Sequence, residues 1–298
     1  MADFSVQEAA FTGFRVAREH PRALLVWAGA SIISQLVIQS VLIGMAGPAM
    51  TQLTAFFTSA ATDPKHVDMQ KFVALYQGIL PAYLVILPIG LAFGAIVSAA
   101  MNRVILRPAD DRFGYFALGG DELRQFGLAV LVYLLFFAMG FVATLLVGAL
   151  AALAGPLALV AGLVAMCGLI FAGVRLSLAS ALTFQTAKVN LLGSWALTQG
   201  RFWPLLGTYL IAVVMVIVVS LLSGIVIGMV ALLAGGAGGV AHQDMSSLSA
   251  YMTPARIVTL IASGALGALL WPLMYTPAPT IYQQLSGRFG AGAADAFS

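Results

Sequence analysis

The chain has 298 residues, of which 61% are hydrophobic and only 8% are charged, and its formal net charge is +3. Soluble proteins carry roughly 25% charged residues, and a soluble fold could not hide this much apolar surface from water. The composition therefore excludes a soluble protein and predicts a membrane protein. Membrane topology explains the sequence pI of about 9.2 more economically than nucleic-acid binding does, so no nucleic-acid partner is expected.

Six apolar stretches are long enough to cross a bilayer, because a spanning helix needs about 20 apolar residues for roughly 30 Å of hydrocarbon. In chain order they cover residues 23–46, 78–102, 124–149, 153–178, 204–234 and 255–283. We therefore predict an all-α polytopic membrane protein with six transmembrane helices. Residues 1–298 are expected to form a single transmembrane domain with no soluble catalytic domain.

Amphipathic segments precede the first, third and fifth predicted spans, at residues 6–18, 115–126 and 192–203. In the first of them apolar residues recur at helical spacing, and the arginines that follow lie three and four positions apart. This pattern predicts amphipathic interfacial helices that lead into spans 1, 3 and 5.

The first span carries a polar face, because Ser31, Gln35 and Gln39 are spaced four residues apart. A glutamine amide facing lipid would leave hydrogen-bond donors unsatisfied, so this face must point into the bundle or toward water. Two interpretations stay open. The face either lines a cavity or groove, or it forms interhelical hydrogen bonds.

Glycines and prolines mark two further features of the spans. Glycines four residues apart, at Gly90 and Gly94 and again at Gly224 and Gly228, predict close helix packing. Three prolines should break the sixth span: Pro272, Pro277 and Pro279.

The lysines and arginines fall mostly on one side of this six-span arrangement. Eleven lie on the side of both termini: Arg15, Arg18, Arg22, Arg103, Arg107, Arg112, Arg124, Arg175, Lys188, Arg201 and Arg288. Three lie on the opposite side: Lys65, Lys71 and Arg256. Because cytoplasmic loops carry the excess of basic residues, we predict that the N-terminus and the C-terminus are both cytoplasmic.

The tryptophans gather on the same side as most of the cations. All four map to that half of the membrane: Trp27, Trp195, Trp203 and Trp271. Such an aromatic and basic girdle either anchors the protein or forms a specific lipid-headgroup site. The headgroup candidates are Arg22, Arg103, Arg107, Arg175, Arg201, Trp195 and Trp203. Arg175 and Arg201 are the best of them.

The sequence shows no pattern of catalytic or metal-binding residues. His20, His66 and His242 fall on different loops and on opposite sides, so they cannot form one metal site. No acidic residue lies deep in a span, which argues against ion-coupled transport. We therefore expect no enzyme activity, no metal and no cofactor.

Two short motifs carry a resemblance to a known family. The sequence reads V-R-L-S-L-A at 174–179 and S-W-A-L-T-Q-G-R-F-W-P-L-L at 194–206. This region resembles bacterial inner-membrane proteins related to the membrane domain of glycerophosphoryl diester phosphodiesterases, including the YciC-like family. Members often carry an acid between the motifs, where this chain has Gln185.

The resemblance implies a six-span architecture, placement in the bacterial inner (cytoplasmic) membrane and contact with lipid. The enzyme members hold their catalysis in a separate soluble barrel, so the resemblance does not imply phosphodiesterase activity. The expected function is a non-enzymatic one in lipid interaction, in envelope maintenance or as a partner in a complex. The expected partners are membrane lipids, anionic ones among them, and a membrane protein.

Two alternatives stay open at this point. One is a facilitator or channel that passes a small or amphipathic solute through a polar groove at Ser31, Gln35 and Gln39. The other is a membrane anchor for a separately encoded enzyme.

Overall fold

The structure, a computed structural model, describes residues 4–62, 68–241 and 244–295, and for 234–241 and 288–295 it describes the helical backbone alone. Over these residues the chain forms eleven α-helices and one 3-10 helix, and no strand. The α-helices are α1 Val6–Glu19, α2 Pro21–Thr62, α3 Met69–Leu106, α4 Gly120–Leu153, α5 Gly155–Leu176, α6 Ala179–Thr186, α7 Leu191–Leu197, α8 Phe202–Ala241, α9 Leu248–Tyr251, α10 Pro254–Tyr275 and α11 Pro277–Asp295. The 3-10 helix is Arg112–Tyr115.

Six helical segments of the described residues are long and apolar enough to cross a membrane. The all-α polytopic fold predicted from the apolar stretches is therefore confirmed. The first two of these helices reach well beyond their predicted ends at residues 46 and 78, since α2 continues to Thr62 and α3 begins at Met69. Asp68 caps α3 by accepting a hydrogen bond from the Lys71 amide at 3.0 Å.

The amphipathic segments before spans 1 and 5 contain helices, and the one before span 3 differs from its prediction. The first forms α1, whose N-terminus is capped by Ser5, and the third contains most of α7. In the middle segment α4 begins only at Gly120, and the 3-10 helix and an extended stretch precede it. The backbone at Phe113 and Tyr115 has a positive φ, of 47° and 68°, which prevents an α-helix there.

The sixth span is interrupted, as its three prolines predict, but the helix breaks only at Pro277. Helix α10 continues through Pro272 to Tyr275, and α11 begins at Pro277. The Thr276 hydroxyl donates to the Pro272 carbonyl at 2.7 Å, which satisfies an oxygen near the end of α10. Pro277 then occupies the first position of the new helix, where its missing amide hydrogen costs nothing.

The chain divides into two compact units. Unit 1 comprises Met1–His20, Gly94–Val216 and Trp271–Ser298. In it α1 lies against the residues around the α10–α11 break, so closely that an ideal Cβ on Gly13 would lie 2.6 Å from the Leu273 Cα. Its buried apolar cluster consists of Phe4, Ala9, Val174, Leu178, Leu205, Ile281 and Leu285.

Unit 2 comprises Pro21–Phe93 and Ile217–Leu270. Helices α2 and α10 approach each other closely, because an ideal Cβ on Gly264 would lie 3.1 Å from the Ala28 carbonyl oxygen. A small cluster of Ala46, Ile79 and Ala82 joins α2 to α3. Glycine and alanine at these positions let helix backbones approach one another, as is typical of membrane bundles.

Candidate functional site

The site is built around the C-terminal end of α5 in unit 1, where the short helix α7 docks. The Ser194 hydroxyl donates to the Arg175 carbonyl oxygen at 2.9 Å, and the Thr198 hydroxyl shares its one hydrogen between that oxygen at 3.1 Å and the Ser194 carbonyl at 2.8 Å. Both side chains are buried. The last carbonyls of a helix have no partner within that helix. These two hydroxyls supply one, and they fix α7 against α5.

Two further features hold α7 in place. Asn190 caps its N-terminus by accepting from the Gly193 amide at 2.8 Å. An ideal Cβ on Gly193 would lie 2.5 Å from the Leu182 Cδ2, so a larger residue at this position would have to displace the Leu182 side chain of α6. Helix α7 is therefore held by its cap, by its contact with α6 and by the Arg175 carbonyl.

The Arg175 guanidinium lies under aromatic rings at this junction. Arg175 is only 8% exposed, and its Cζ lies 4.8 Å from the centre of the Trp195 ring and 5.8 Å from that of Phe171. A cation over an aromatic face gains about 0.5–2 kcal/mol. The aromatic contacts therefore offset part of the cost of burying this charge.

The same guanidinium has no anionic partner among the described residues. Its Nε atom is buried and makes no hydrogen bond, and no carboxylate of the described residues lies within 4.0 Å of its nitrogens. A buried charge is normally paired, because removing it from water costs several kcal/mol. The Arg175 site therefore contains the cation of an ion pair, and no carboxylate of the described residues supplies the anion.

Aromatic side chains continue outward from Arg175. Phe171 contacts Trp195 edge-on at 5.7 Å and Phe202 at 5.3 Å, and Phe202 contacts Trp203 at 5.3 Å. Trp195 is 40% exposed and Trp203 is 76% exposed. We call Phe171, Trp195, Phe202 and Trp203 the aromatic cluster. Tryptophans that are partly exposed in this way are typical of the membrane–water interface.

A second cluster of charges in unit 1, at the start of α4, is paired internally. The Arg103 guanidinium bonds the Glu122 carboxylate at 2.7 Å, and both side chains are 7% exposed. Asp121 lies 3.7 Å from Arg103 and 3.1 Å from Arg107, and it also pairs with Arg124. Two carboxylates in the first turn of a helix are also favoured by the helix dipole.

This paired cluster holds the loop that precedes α4. Arg103 donates to the Tyr115 carbonyl oxygen. Arg107 donates to the Phe184 carbonyl at 3.3 Å and lies over the Phe184 ring at 4.5 Å. Arg103 and Arg107, both headgroup candidates from the sequence, are thus already engaged by protein groups. They are poorer candidates than Arg175 for an outside anion.

The remaining headgroup candidates lie in different places. Arg201 is half-buried in unit 1, and its Nη1 donates to the Leu197 carbonyl at 3.1 Å, which closes the end of α7. Arg22 is exposed in the first turn of α2, in unit 2. Of the seven candidates, the structure brings Arg175, Trp195, Arg201 and Trp203 to the ends of α5 and α7 and the start of α8.

The polar face of the first span lies within unit 2. Ser31 is 6% exposed, and its Oγ would lie 2.4 Å from an ideal Cβ on Gly267, so Ser31 fills the α2–α10 contact. Gln35 donates to the Ser31 hydroxyl at 3.2 Å, within the same helix. The Gln39 Oε1 atom is buried and makes no hydrogen bond.

Two features of unit 1 were not predicted from the sequence. One is the pairing of Asp121 and Glu122 with Arg103. A signal existed, because two adjacent acids in an acid-poor chain follow shortly after two arginines. The other is a polar network in which the Asn102 amide donates to the Ser180 hydroxyl at 2.8 Å. Single serines and asparagines near span ends give no comparable signal.

Within the described residues no group of three or more His, Cys, Asp or Glu side chains is placed to hold a metal ion. No family model, curated protein or solved structure matches the chain. The functional proposal therefore depends on the geometry around Arg175.

Proposed function

We propose that this membrane protein acts without catalysis and binds an anionic phospholipid headgroup at Arg175. The observation that carries the proposal is a buried guanidinium with aromatic neighbours and no carboxylate partner within the described residues. A phosphate supplies the missing negative charge. Its oxygens can accept hydrogen bonds from the guanidinium, including one from the Nε–H group, which makes none with the described residues.

The chemistry of the residues favours a phosphate over other anions. Arginine presents a planar fork of donors that matches phosphate oxygens and stacks on aromatic rings, whereas lysine does neither as well. The exposed Trp195 and Trp203 are suited to the headgroup layer, where the apolar part of the ring faces lipid and its N–H faces water. The site therefore combines a charge partner for a headgroup with a surface for the adjacent lipid.

The lipid proposal also agrees with the expected topology. In the arrangement we propose, both termini and this site lie on the cytoplasmic side of a bacterial inner membrane, where a basic residue near anionic lipid contributes about 1 kcal/mol. The resemblance of residues 174–206 to the YciC-like family supports the same placement, because Arg175, Trp195 and Trp203 all belong to the matching motifs.

The facilitator alternative has weaker support. It requires a polar groove along the first span, but Ser31 is packed against Gly267, and Gln35 donates a hydrogen bond to Ser31. Only the unpartnered Oε1 of Gln39 favours it. The anchor alternative would be supported if a soluble enzyme copurified with the chain.

Lipid analysis of the protein in native nanodiscs tests the proposal. We expect phosphatidylglycerol or cardiolipin to be enriched around the wild type relative to the parent membrane, and Arg175→Met to abolish most of that enrichment. Arg175→Lys should retain only part of it, because lysine keeps the charge but loses the planar fork.

Arg112→Ala is the matched control, since Arg112 is an exposed arginine of the same unit. The control should leave the enrichment unchanged. Equal lipid composition in the wild type and the parent membrane would contradict the proposal, as would equal losses in Arg175→Met and Arg112→Ala.

A further inference from the structure

Unit 1 contains an apolar cavity that is separate from the Arg175 site. Its volume is about 640 Å³, within the range of small-molecule sites. Helices α5 and α8 and the α10–α11 break supply most of its wall. Its lining includes Ser98, Val174, Ser177, Leu206, Tyr209 and Met274.

The cavity and the Arg175 site use different faces of α5. Ile170, Val174 and Ser177 line the cavity at helical spacing. Phe171 and Arg175, four residues apart, instead contact Trp195 of α7. A ligand in the cavity would therefore be bound independently of a headgroup at Arg175.

One polar group on the cavity wall is Tyr209. Its hydroxyl is buried and makes no hydrogen bond of standard geometry. The Ser177 hydroxyl, which donates to the Val174 carbonyl at 2.8 Å, is the polar group beside it, but the two hydroxyls do not reach good hydrogen-bond geometry. A buried hydroxyl without a well-formed hydrogen bond is unfavourable by up to about 1–3 kcal/mol, so a ligand oxygen with better geometry than Ser177 would satisfy the Tyr209 donor.

Ser98 supplies the complementary acceptor. The Ser180 hydroxyl donates to the Gln125 Oε1 at 3.0 Å, so its single hydrogen is used. In the Ser98–Ser180 contact of 2.7 Å either hydroxyl can donate, and the hydrogen comes from Ser98 when Ser180 donates to Gln125. The Ser98 oxygen keeps lone pairs that can accept a hydrogen bond.

We propose that this cavity binds an uncharged amphiphile with a free hydroxyl group, of the monoacylglycerol or diacylglycerol class. The apolar wall takes the hydrocarbon chain. The ligand hydroxyl donates to Ser98, and a ligand oxygen accepts from Tyr209. None of the described residues that line the cavity is charged, so an ionised headgroup would be buried there without a partner among them.

Photolabelling of the purified full chain tests this site. The probe is monooleoylglycerol with a diazirine in its acyl chain, in nanodiscs of zwitterionic lipid. We expect labelled peptides to include Val174, Leu206 or Met274. Unlabelled monooleoylglycerol should compete, and methyl oleate should compete far less, because it has the same chain but no hydroxyl.

Tyr209→Phe keeps the ring and removes only the donor, so it preserves packing. It should weaken competition by about threefold to tenfold, the expected loss for one hydrogen bond, and Ser98→Ala should do the same. The control is Tyr133→Phe, because Tyr133 stacks on Phe137 of α4 and is not part of this cavity. Arg175→Met should leave the labelling intact, so this site and the headgroup site can fail separately.

Any of three results would overturn the proposal. The first is labelling spread evenly over lipid-facing residues of α4 and α8, which would mean ordinary acyl-chain contact. The second is equal competition by methyl oleate. The third is unchanged binding in both Tyr209→Phe and Ser98→Ala.

Discussion

Replacing each of two buried arginines by methionine should change the free energy of unfolding by very different amounts. Arg103 and Arg175 are 6% and 8% exposed, so burial alone does not distinguish them. Arg103 is paired with Glu122 at 2.7 Å, whereas Arg175 has aromatic neighbours and no carboxylate partner in the described residues. The difference in partners decides the expected effect.

Arg103→Met leaves the Glu122 carboxylate buried without its cation, which should cost about 3–5 kcal/mol of unfolding free energy. Arg175→Met removes a charge that no carboxylate of the described residues pairs. The variant loses about 0.5–2 kcal/mol of cation–π energy but avoids the cost of burying the charge. In lipid-free detergent its net change should therefore stay within about 1 kcal/mol.

Anionic lipid should then separate the wild type from Arg175→Met. A ligand present at 100 times its Kd stabilises a protein by about 2.7 kcal/mol, so phosphatidylglycerol should raise the thermal midpoint of the wild type. It should leave that of Arg175→Met nearly unchanged.

Thermal unfolding followed by circular dichroism, in detergent with and without phosphatidylglycerol, measures both effects. Phosphatidylcholine serves as the zwitterionic control. The reasoning is refuted if Arg175→Met destabilises the lipid-free protein as much as Arg103→Met does. It is also refuted if phosphatidylglycerol stabilises both proteins equally.

Three further predictions concern the packing that supports the site. Glu122→Gln should lower the unfolding free energy by about 3 kcal/mol, and Arg103→Met should cost little more in that background, as a double-mutant cycle on the two residues can measure. Gly13→Ala should destabilise the protein by at least 1 kcal/mol, because the added methyl meets the immobile Leu273 backbone, whereas Gly140→Ala should not, since nothing lies within 4 Å of its ideal Cβ. Thr198→Val should remove about 1 kcal/mol and increase hydrogen exchange across α7; unchanged exchange would mean that the hydroxyl does not hold this helix.

Hydropathy was sufficient to predict the class of the fold. Six apolar runs gave six candidate spanning helices, and the spacing of apolar residues before the first span gave α1. The ends of α2 and α3 could not be predicted in the same way. Those ends are more polar than the spans, and contacts between the helices stabilise them, such as that of Phe56 with Phe72 at 5.6 Å.

Close helix contacts were harder to predict than spans. The glycine pair Gly224 and Gly228 suggested close packing, yet an ideal Cβ on either residue meets no atom of its own unit within 4 Å. Gly264 and Gly267, three residues apart, make the close approach to α2 instead. Sequence spacing shows where helices can approach, but which faces meet depends on the whole bundle.

The roles of the charged residues were also not predictable from the sequence alone. Arg103, Arg107 and Arg175 look alike in the sequence, because each lies near the end of a span on the basic side. Only the structure shows that the first two contact carboxylates, and that none of the carboxylates in the described residues contacts Arg175. The site prediction could therefore name the arginines but could not separate a structural arginine from one that awaits a ligand.

An experimental density map of the protein in nanodiscs containing phosphatidylglycerol tests the central claim most directly. The account predicts a phosphate density at hydrogen-bond distance, about 2.7–2.9 Å, from the Arg175 guanidinium nitrogens and beside Trp195. A map in which Arg175 bonds a protein carboxylate, or contacts only acyl chains with no phosphate nearby, would contradict it.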